Sequence, residues 1–258
     1  DYPLNATLWW LNWFDGRSES ALAQWRGLCQ GRDVNALMTA GQLINWGMPA
    51  LAAEMLNALD CQRTLPLYLQ ASLLPKAERG ELVVKAIDAF PQFVRFPNTL
   101  EEVAALESIE ECWFARHLLA CFYYNKRSYG KAIALWQRCV EMSPEFAAGW
   151  RGLAIHAWNK QHDYELAARY LDNAYQLAPQ DARLLFERDL LDKLSGVTPE
   201  KRLARLENNL EIALKRDDMT AELLNLWHLT GQADKAADIL ATRKFHPWEG
   251  GEGKGTSQ

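Results

Sequence analysis

Histidine and cysteine are the residues of this chain whose chemistry most often serves metal binding or nucleophilic catalysis. Five of each occur in 258 residues, but no His-Glu-x-x-His, Cys-x-x-Cys or Gly-x-Ser-x-Gly motif gives them a metal-binding or catalytic spacing. The cysteines all lie among apolar residues in helical patterns: Cys29, Cys61, Cys112, Cys121 and Cys139. Because this set is odd and irregular, it favours reduced core thiols and a cytoplasmic location. The sequence therefore predicts no catalytic residue, no metal site and no cofactor.

Polar and aromatic residues also cluster among the glycines of the C-terminal tail, where they are His246, Trp248, Glu249 and Glu252. A Trp beside carboxylates and a His could stack on and hydrogen-bond a sugar, or the tail could dock on another domain. The alternative is a flexible linker. A phosphate loop is excluded, because that motif needs Gly where Trp248 stands and Ser or Thr where Gly255 stands.

The overall charge argues against two classes of partner. The chain has 28 Lys+Arg against 33 Asp+Glu, a formal net charge of -5, so no basic field attracts nucleic acid or an anionic membrane. No stretch approaches the roughly 18 apolar residues that a membrane-spanning helix needs. We therefore expect a soluble protein. Asp1 in place of Met, with the small and polar residues of the tail, predicts a fragment or a processed product.

A helical repeat must position any site in this chain, and it is clearest between Trp113 and Pro179. Small and large residues recur there in the same order: Leu119, Ala120, Ala132, Trp136 and Cys139 before Pro144, then Leu153, Ala154, Ala167, Leu171 and Ala174 before Pro179. The two prolines are 179 − 144 = 35 positions apart. Small residues at fixed places allow paired helices to approach closely, and proline suits the start of a new helix.

Helix-start signals extend this pattern and predict an all-α chain. Thr99 and Ser108 each precede a Glu by three residues, as in a capping box, while Gly231 permits a turn between helices. Prolines at 91 and 97 predict an irregularity near 90–98, where the stack changes direction or gains an extra short helix. The predicted helices cover 5–14, 18–30, 34–45, 49–59, 65–74, 78–90, 99–107, 109–126, 129–142, 145–160, 163–177, 181–195, 199–215, 218–230 and 233–243.

The repeat resembles the tetratricopeptide (TPR) family, most clearly over 113–179 and diffusely over the rest of 1–244. The resemblance implies a right-handed superhelix, an α-solenoid, of about seven helical hairpins in a domain spanning 1–244, with 245–258 as a Gly-rich tail or a linker to a missing segment. It also implies a concave groove, lined mainly by the first helix of each pair, that receives a peptide or another domain. A narrower resemblance links residues 243–253 to large bacterial proteins that pair a mutarotase-like β-sandwich region with C-terminal repeats.

Transferred to this chain, the family's groove positions are Phe114, His117, Cys121, Tyr124, Asn125, Arg151, Ile155, Trp158, Asn159, Arg183, Phe186 and Lys193. Their cations would favour an acidic or carboxylate-bearing ligand, because guanidinium binds carboxylate at two points. The family's carboxylate clamp is not expected, since Cys121 and Ile155 occupy its inner sites. The alternative is that the aromatic rings pack between repeats and the cations are solvated.

Aromatic residues crowd the first predicted helix, where Trp9, Trp10, Trp13 and Phe14 lie together. Either a partner covers this end, or the rings turn inward onto the next helix. We therefore expect a non-catalytic scaffold that binds a protein, a peptide or an adjacent domain of the same chain through the groove and this end. The alternative function is the accessory region of a bacterial carbohydrate-active enzyme, with the segment 246–253 contributing to a sugar site.

Overall fold

The computed structural model of the 258-residue chain describes residues 9–10, 12–29, 33–59, 63–89 and 95–245. All regular structure in those ranges is helical, without a strand, so the prediction of an all-α chain is confirmed. Backbone contacts divide the chain into two compact units, Asp1–Met142 (unit 1) and Ser143–Gln258 (unit 2). Each unit is a series of helical hairpins.

Unit 1 contains hairpins separated by short turns. Its helices are α1 (Ser18–Cys29), α2 (Asp33–Asn45), α3 (Pro49–Asn57), α4 (Thr64–Ser72), α5 (Gly80–Asp88), α6 (Leu100–Glu107), α7 (Trp113–Asn125) and α8 (Tyr129–Met142), with a short 3-10 helix at Lys76–Glu78. α2 pairs with α3, α4 with α5, and α7 with α8. The first helices of these hairpins are therefore α2, α4 and α7.

Unit 2 continues the same construction. Its helices are α9 (Ala147–His156), which runs into a π-helical segment (Ala157–Gln161), α10 (Tyr164–Leu177), α11 (Ala182–Leu194), α12 (Pro199–Glu207), α13 (Leu210–Ala213), α14 (Asp217–Leu229) and α15 (Ala233–Thr242). α9 pairs with α10 and α14 with α15, while α12 and α13 pack against both α11 and α14. The first helices here are α9, α11 and α14.

Small residues lie where the repeat pattern places them. Ala120 of α7 and Ala132 of α8 are fully buried, as are Ala154 of α9 and Ala167 of α10. A methyl side chain lets two helices pack closely, and the larger neighbours then fill the space around the contact. The predicted hairpins of the central repeats are confirmed.

Residues in the left-handed conformation follow every first helix named above except α4. Gly231 has a φ of 77°, and the N–H of Gln232 donates to the Trp227 carbonyl at 2.7 Å, which closes a Schellman turn. The predicted role of Gly231 is confirmed. Arg127 and His162, with φ of 62° and 55°, occupy the corresponding positions after α7 and α9, although a side chain disfavours this conformation.

The turn after α9 holds one residue more than the turn after α7. The Ser128 N–H donates to the Tyr123 carbonyl, five residues earlier, at 2.8 Å, whereas the Asp163 N–H donates to the Ala157 carbonyl, six residues earlier, at 3.0 Å. The wider π-helical turn of Ala157–Gln161 accommodates the additional residue. It explains why the repeat here measures 35 residues, against about 34 in the TPR family.

α6 lies between two hairpins and matches the helix predicted over 99–107, whereas most of the predicted irregularity near 90–98 lies outside the described residues. The Thr99 hydroxyl accepts the Glu102 N–H and the Glu102 carboxylate accepts the Thr99 N–H, each at 3.3 Å, so this capping box is confirmed. α6 contacts the first helices α2, α4 and α7. α4 is buried at every position from Thr64 through Leu69, because it has neighbours on every side.

The second predicted capping box is wrong. Ser108 ends α6, and its hydroxyl donates to the Ala105 carbonyl at 2.7 Å. α7 begins only at Trp113, where the Cys112 sulfur accepts the Ala115 N–H at 3.5 Å. Cys112 therefore caps α7 in place of Ser108. The Ser108 hydroxyl is bonded within α6, the preceding helix.

The limits of most other predicted helices agree with the structure to within two residues, but those of the helix over 199–215 do not. The one over 199–215 is interrupted at Asn208 and Asn209, where the Asn209 side chain accepts from the Tyr175 hydroxyl at 2.7 Å and donates to the Arg205 carbonyl at 2.9 Å. Such side-chain bonds compete with the helical ladder. The helix predicted from 145 begins two residues later, at Ala147.

The N-terminal aromatic rings point both inward and outward. Trp9 is buried with its centroid 5.6 Å from that of Trp25, and the Trp25 indole N–H donates to the Met55 carbonyl at 3.0 Å. Phe14, stacked on Trp10 with centroids 5.7 Å apart, has 65% of its surface exposed. The prediction that the rings turn inward therefore holds for Trp9, whereas Phe14 remains exposed.

Candidate functional site

The predicted groove residue Arg151 lies in an ion pair that joins two first helices of unit 2. Its Nε and Nη2 atoms donate to the two carboxylate oxygens of Glu187 on α11, at 2.8 and 2.5 Å. Arg183, one turn before Glu187, reaches the same carboxylate at 3.4 Å but keeps most of its side chain in solvent. A two-point pair of this kind fixes the side chain, so Arg151 is held by its own unit.

Lys193, the third predicted cation, lies at the edge of a buried charge network. Its ammonium group is 2.9 Å from a Glu222 oxygen on α14, and the other Glu222 oxygen accepts from Arg202 at 2.6 Å. Arg202 also donates to both Asp189 oxygens, at 3.1 and 2.6 Å. An acidic ligand would have to compete with Glu187 and Glu222 for the predicted cations.

Burial sets the electrostatics of this network. Arg202 is 4% and Asp189 1% exposed, and desolvation raises the pKa of Asp189 above its usual range despite the guanidinium beside it. Desolvation disfavours the Arg202 cation, but the bonds to Asp189 and Glu222 outweigh it and raise the pKa of Arg202. Burial of Glu222 is outweighed in the same way by Arg202 and Lys193, which lower its pKa.

The remaining predicted residues of unit 2 surround these ion pairs. Phe186 is half-buried, with the Arg216 guanidinium carbon 5.7 Å from its ring centroid, a cation–π distance. Trp158 is half-buried against the core shared by α9, α10 and α11, and Ile155 is also half-buried. Asn159, in the π-helical segment, is exposed.

The predicted groove residues of unit 1 lie at different depths on α7. Phe114 and His117 are buried, with ring centroids 6.1 Å apart, and the His117 Nε2 is 3.6 Å from the Cys121 sulfur. Tyr124 is half-buried and Asn125 is exposed. The buried pair packs between helices and presents little surface to a ligand.

Two exposed leucines complete the surface of unit 2, and the sequence interpretation missed both. Leu194 and Leu229 end the first helices α11 and α14, and more than half of each side chain is exposed. The repeat could have identified them. Leu194 lies 194 − 159 = 35 residues after Asn159, and Leu229 lies 229 − 194 = 35 residues after Leu194, so both leucines occupy the repeat position of Asn159. The residues just before them, Lys193 and His228, are also exposed.

The described residues contain neither a metal-binding group nor a membrane-spanning helix. No group of three His, Cys, Asp or Glu side chains among them is arranged to hold a metal ion. The helices in the described ranges are also too short or too polar to cross a bilayer. The predicted tail contacts, His246, Trp248, Glu249 and Glu252, lie outside the described residues.

Comparison with known proteins gives no family assignment, since no protein-family model matches the chain. Among solved structures it is similar to MamA, with 14% identity over 69% of this chain and 88% of that chain and a TM-score of 0.45. It is also similar to YrrB, described as a TPR protein with an unusual peptide-binding site, with 17% identity over 69% of this chain and 83% of that chain and a TM-score of 0.42. A third match is the TPR domain of P58(IPK), with 17% identity over 93% of this chain and 68% of that chain and a TM-score of 0.42. The hairpins of the chain itself, and not these matches, carry the assignment of a helical-repeat fold.

Proposed function

We propose that the chain is a non-catalytic helical-repeat scaffold whose unit 2 binds an extended segment of a protein partner. The partner is a separate protein or an adjacent domain of the same polypeptide. The observation that carries the proposal is the exposure of Leu194 and Leu229 at equivalent ends of two first helices. Apolar side chains repeated at one position of a helical array form a row that a single extended segment can contact.

The surroundings of this row suit a peptide with both apolar and polar groups. Trp158, in the π-helical segment after the preceding first helix α9, offers a half-buried ring. Lys193 and His228 place polar groups beside the two leucines. Lys193 is steadied by Glu222, so less side-chain entropy is lost when a ligand contacts it. We therefore expect apolar side chains of the peptide to contact Leu194 and Leu229 while its backbone and polar groups face Lys193 and His228.

Selection from phage-displayed random peptides tests this proposal without a known partner. A selected peptide, synthesised with a fluorescent label, should bind the full chain when titrated by fluorescence anisotropy. Leu194→Glu and Leu229→Glu should each weaken binding by about tenfold or more, because each truncates an apolar contact and adds a charge.

Leu240→Glu is the matched control. Leu240 belongs to the same hairpin as Leu229 and is 60% exposed, against 59% for Leu229, but it lies on the second helix, α15. Its substitution should leave the affinity unchanged. Equal weakening by all three substitutions, or failure to select any binding peptide, would contradict the proposal.

The carbohydrate alternative depends on the segment 246–253, which lies outside the described residues. The described structure offers no observation that favours it. A glycan array probed with the intact chain and with Trp248→Ala tests it directly, since absence of glycan binding by the intact chain would rule out the tail as a sugar site.

A further inference from the structure

Two glutamates occupy one repeat position on the first helices of unit 2. Glu222 of α14 lies 222 − 187 = 35 residues after Glu187 of α11. Glu187 precedes Leu194 by 194 − 187 = 7 residues, and Glu222 precedes Leu229 by 229 − 222 = 7 residues. Seven residues make almost two helical turns, so each glutamate shares a helix face with its leucine, about 10 Å away. A row of carboxylates therefore accompanies the leucine row, which is formed by Leu194 and Leu229.

Each carboxylate of this row accepts hydrogen bonds from a cation on the preceding first helix. Glu187 accepts from Arg151 of α9 at 2.8 and 2.5 Å, and Glu222 accepts from Lys193 of α11 at 2.9 Å. The glutamate side chains are only 16% and 17% exposed. Hydrogen bonds from Arg202 and Lys193 lower the pKa of Glu222 despite its burial, so this carboxylate is charged at neutral pH. The two cations are therefore neutralised within unit 2.

This arrangement disfavours an acidic ligand at the leucine row. A ligand carboxylate that approached Lys193 would also approach Glu222, and the repulsion would oppose the attraction. It would also have to replace a hydrogen bond between two charged groups. Arg183, whose side chain is largely in solvent, lies 194 − 183 = 11 residues before Leu194, three turns away along α11. Apolar side chains meet no such conflict when they contact the leucines.

We propose that Glu187 and Glu222 are specificity-determining residues that exclude acidic segments from the leucine row. The ligand is then an apolar extended segment without acidic residues. The inference rests on the proposed function, because it concerns the same peptide surface. The leucines supply the contact area, and the glutamates set the charge that the ligand can carry, since discrimination requires an unfavourable contact with the wrong ligand.

The test compares a labelled peptide selected on the full chain with variants of it in which one residue at a time is replaced by Glu. Glu222→Gln keeps an oxygen that can accept from Arg202, but its amide nitrogen cannot accept from Lys193. For at least one peptide position, this variant should narrow the difference in affinity between the Glu-substituted and parent peptides by about tenfold. Glu187→Gln, which loosens the hold on Arg151, should do the same at a different position of the peptide.

Two further variants establish that the released cation causes this gain. Lys193→Gln/Glu222→Gln should lack most of it, because no ammonium group is present to pair with the peptide carboxylate. Glu165→Gln removes the same charge from an exposed glutamate on the second helix α10 and should leave every affinity ratio unchanged. Circular dichroism establishes that each variant is folded, and Glu187→Gln provides the test if Glu222→Gln is not.

The possible results separate this inference from the proposed function. If neither Gln variant changes the ratio of affinities, or if both weaken the parent and Glu-substituted peptides by one common factor, the glutamates are only structural and the inference is overturned. Selection of acidic peptides whose binding depends on Leu194 and Leu229 would overturn it as well. Failure to select any peptide, or binding that Leu194→Glu and Leu229→Glu leave unchanged, would instead refute the proposed function and this inference with it.

Discussion

Removing the Arg202 guanidinium should destabilise unit 2 more than any exposed substitution. Arg202 makes three hydrogen bonds, two to Asp189 and one to Glu222, between 2.6 and 3.1 Å. Arg202→Met keeps an apolar stem of similar length but leaves the Asp189 carboxylate buried without its cation. Breaking one side of a buried ion pair costs about 3–5 kcal/mol. Urea denaturation of the full chain, followed by circular dichroism near neutral pH, should show this loss in the free energy of unfolding.

The stability lost in Arg202→Met should become smaller as pH falls. Burial already raises the pKa of Asp189, and the absence of Arg202 would raise it further. The folded variant then binds a proton that the unfolded chain releases above the ordinary Asp pKa of about 3.9. The stability of Arg202→Met therefore falls as pH rises above about 3.9. The difference in the free energy of unfolding between this variant and wild type becomes smaller as pH falls toward about 4.

Two further variants separate this explanation from a general loss of packing. The double variant Asp189→Leu/Arg202→Met should recover most of the lost stability, because it removes both buried charges and leaves Lys193 beside Glu222. Arg169→Met removes an exposed pair with Glu165 and should change stability by about 0.5 kcal/mol or less. A loss below about 1 kcal/mol for Arg202→Met, or no recovery in the double variant, would refute the reasoning.

Three smaller effects can be measured on the same chain. Thr99→Ala should cost about 1 kcal/mol in urea denaturation by removing the cap of α6, whereas Thr99→Ser should cost much less; equal losses would contradict a capping role. Arg151→Ala should cost about 2 kcal/mol, because Glu187 then keeps only a longer contact with an exposed cation; a neutral result in the same assay would show that the pair contributes nothing net. The Tyr123 hydroxyl donates to Glu107 at 2.5 Å, and this bond, with burial, raises the pKa of Tyr123 to about 12. The bond contributes its full stability below the unfolded tyrosine pKa of about 10 and loses it as pH rises to about 12. In a spectrophotometric titration Glu107→Gln should return the pKa of Tyr123 toward about 10.

The local pattern of the sequence was sufficient to predict most of the helices, because helix periodicity and caps depend on neighbouring residues. Thr99 was correctly identified as a cap for this reason. Ser108 matched the same motif, but its hydroxyl was already bonded within the preceding helix. The choice between Ser108 and Cys112 depends on where α6 ends, which the four residues of the motif do not encode.

The candidate site was less predictable, because it depends on contacts between helices. The positions of Arg151 and Lys193 on first helices follow from the repeat, but their pairing with Glu187 and Glu222 spans 36 and 29 residues. Such pairs require the packing of one hairpin on another. The spacing of 35 places Leu194 and Leu229 at the repeat position of Asn159. They would have been predicted as groove residues if apolar residues at that position had been considered as well as charged ones.

The burial of α4 has a consequence for how unit 1 can vary. In a simple repeat array a hairpin can be deleted or duplicated, because each one meets only its two neighbours. α6 instead bridges α2, α4 and α7, so three segments distant in sequence share one contact region. Unit 1 should therefore resist hairpin duplication, and its folding should be cooperative across these helices, because each of them loses packing contacts when another is absent.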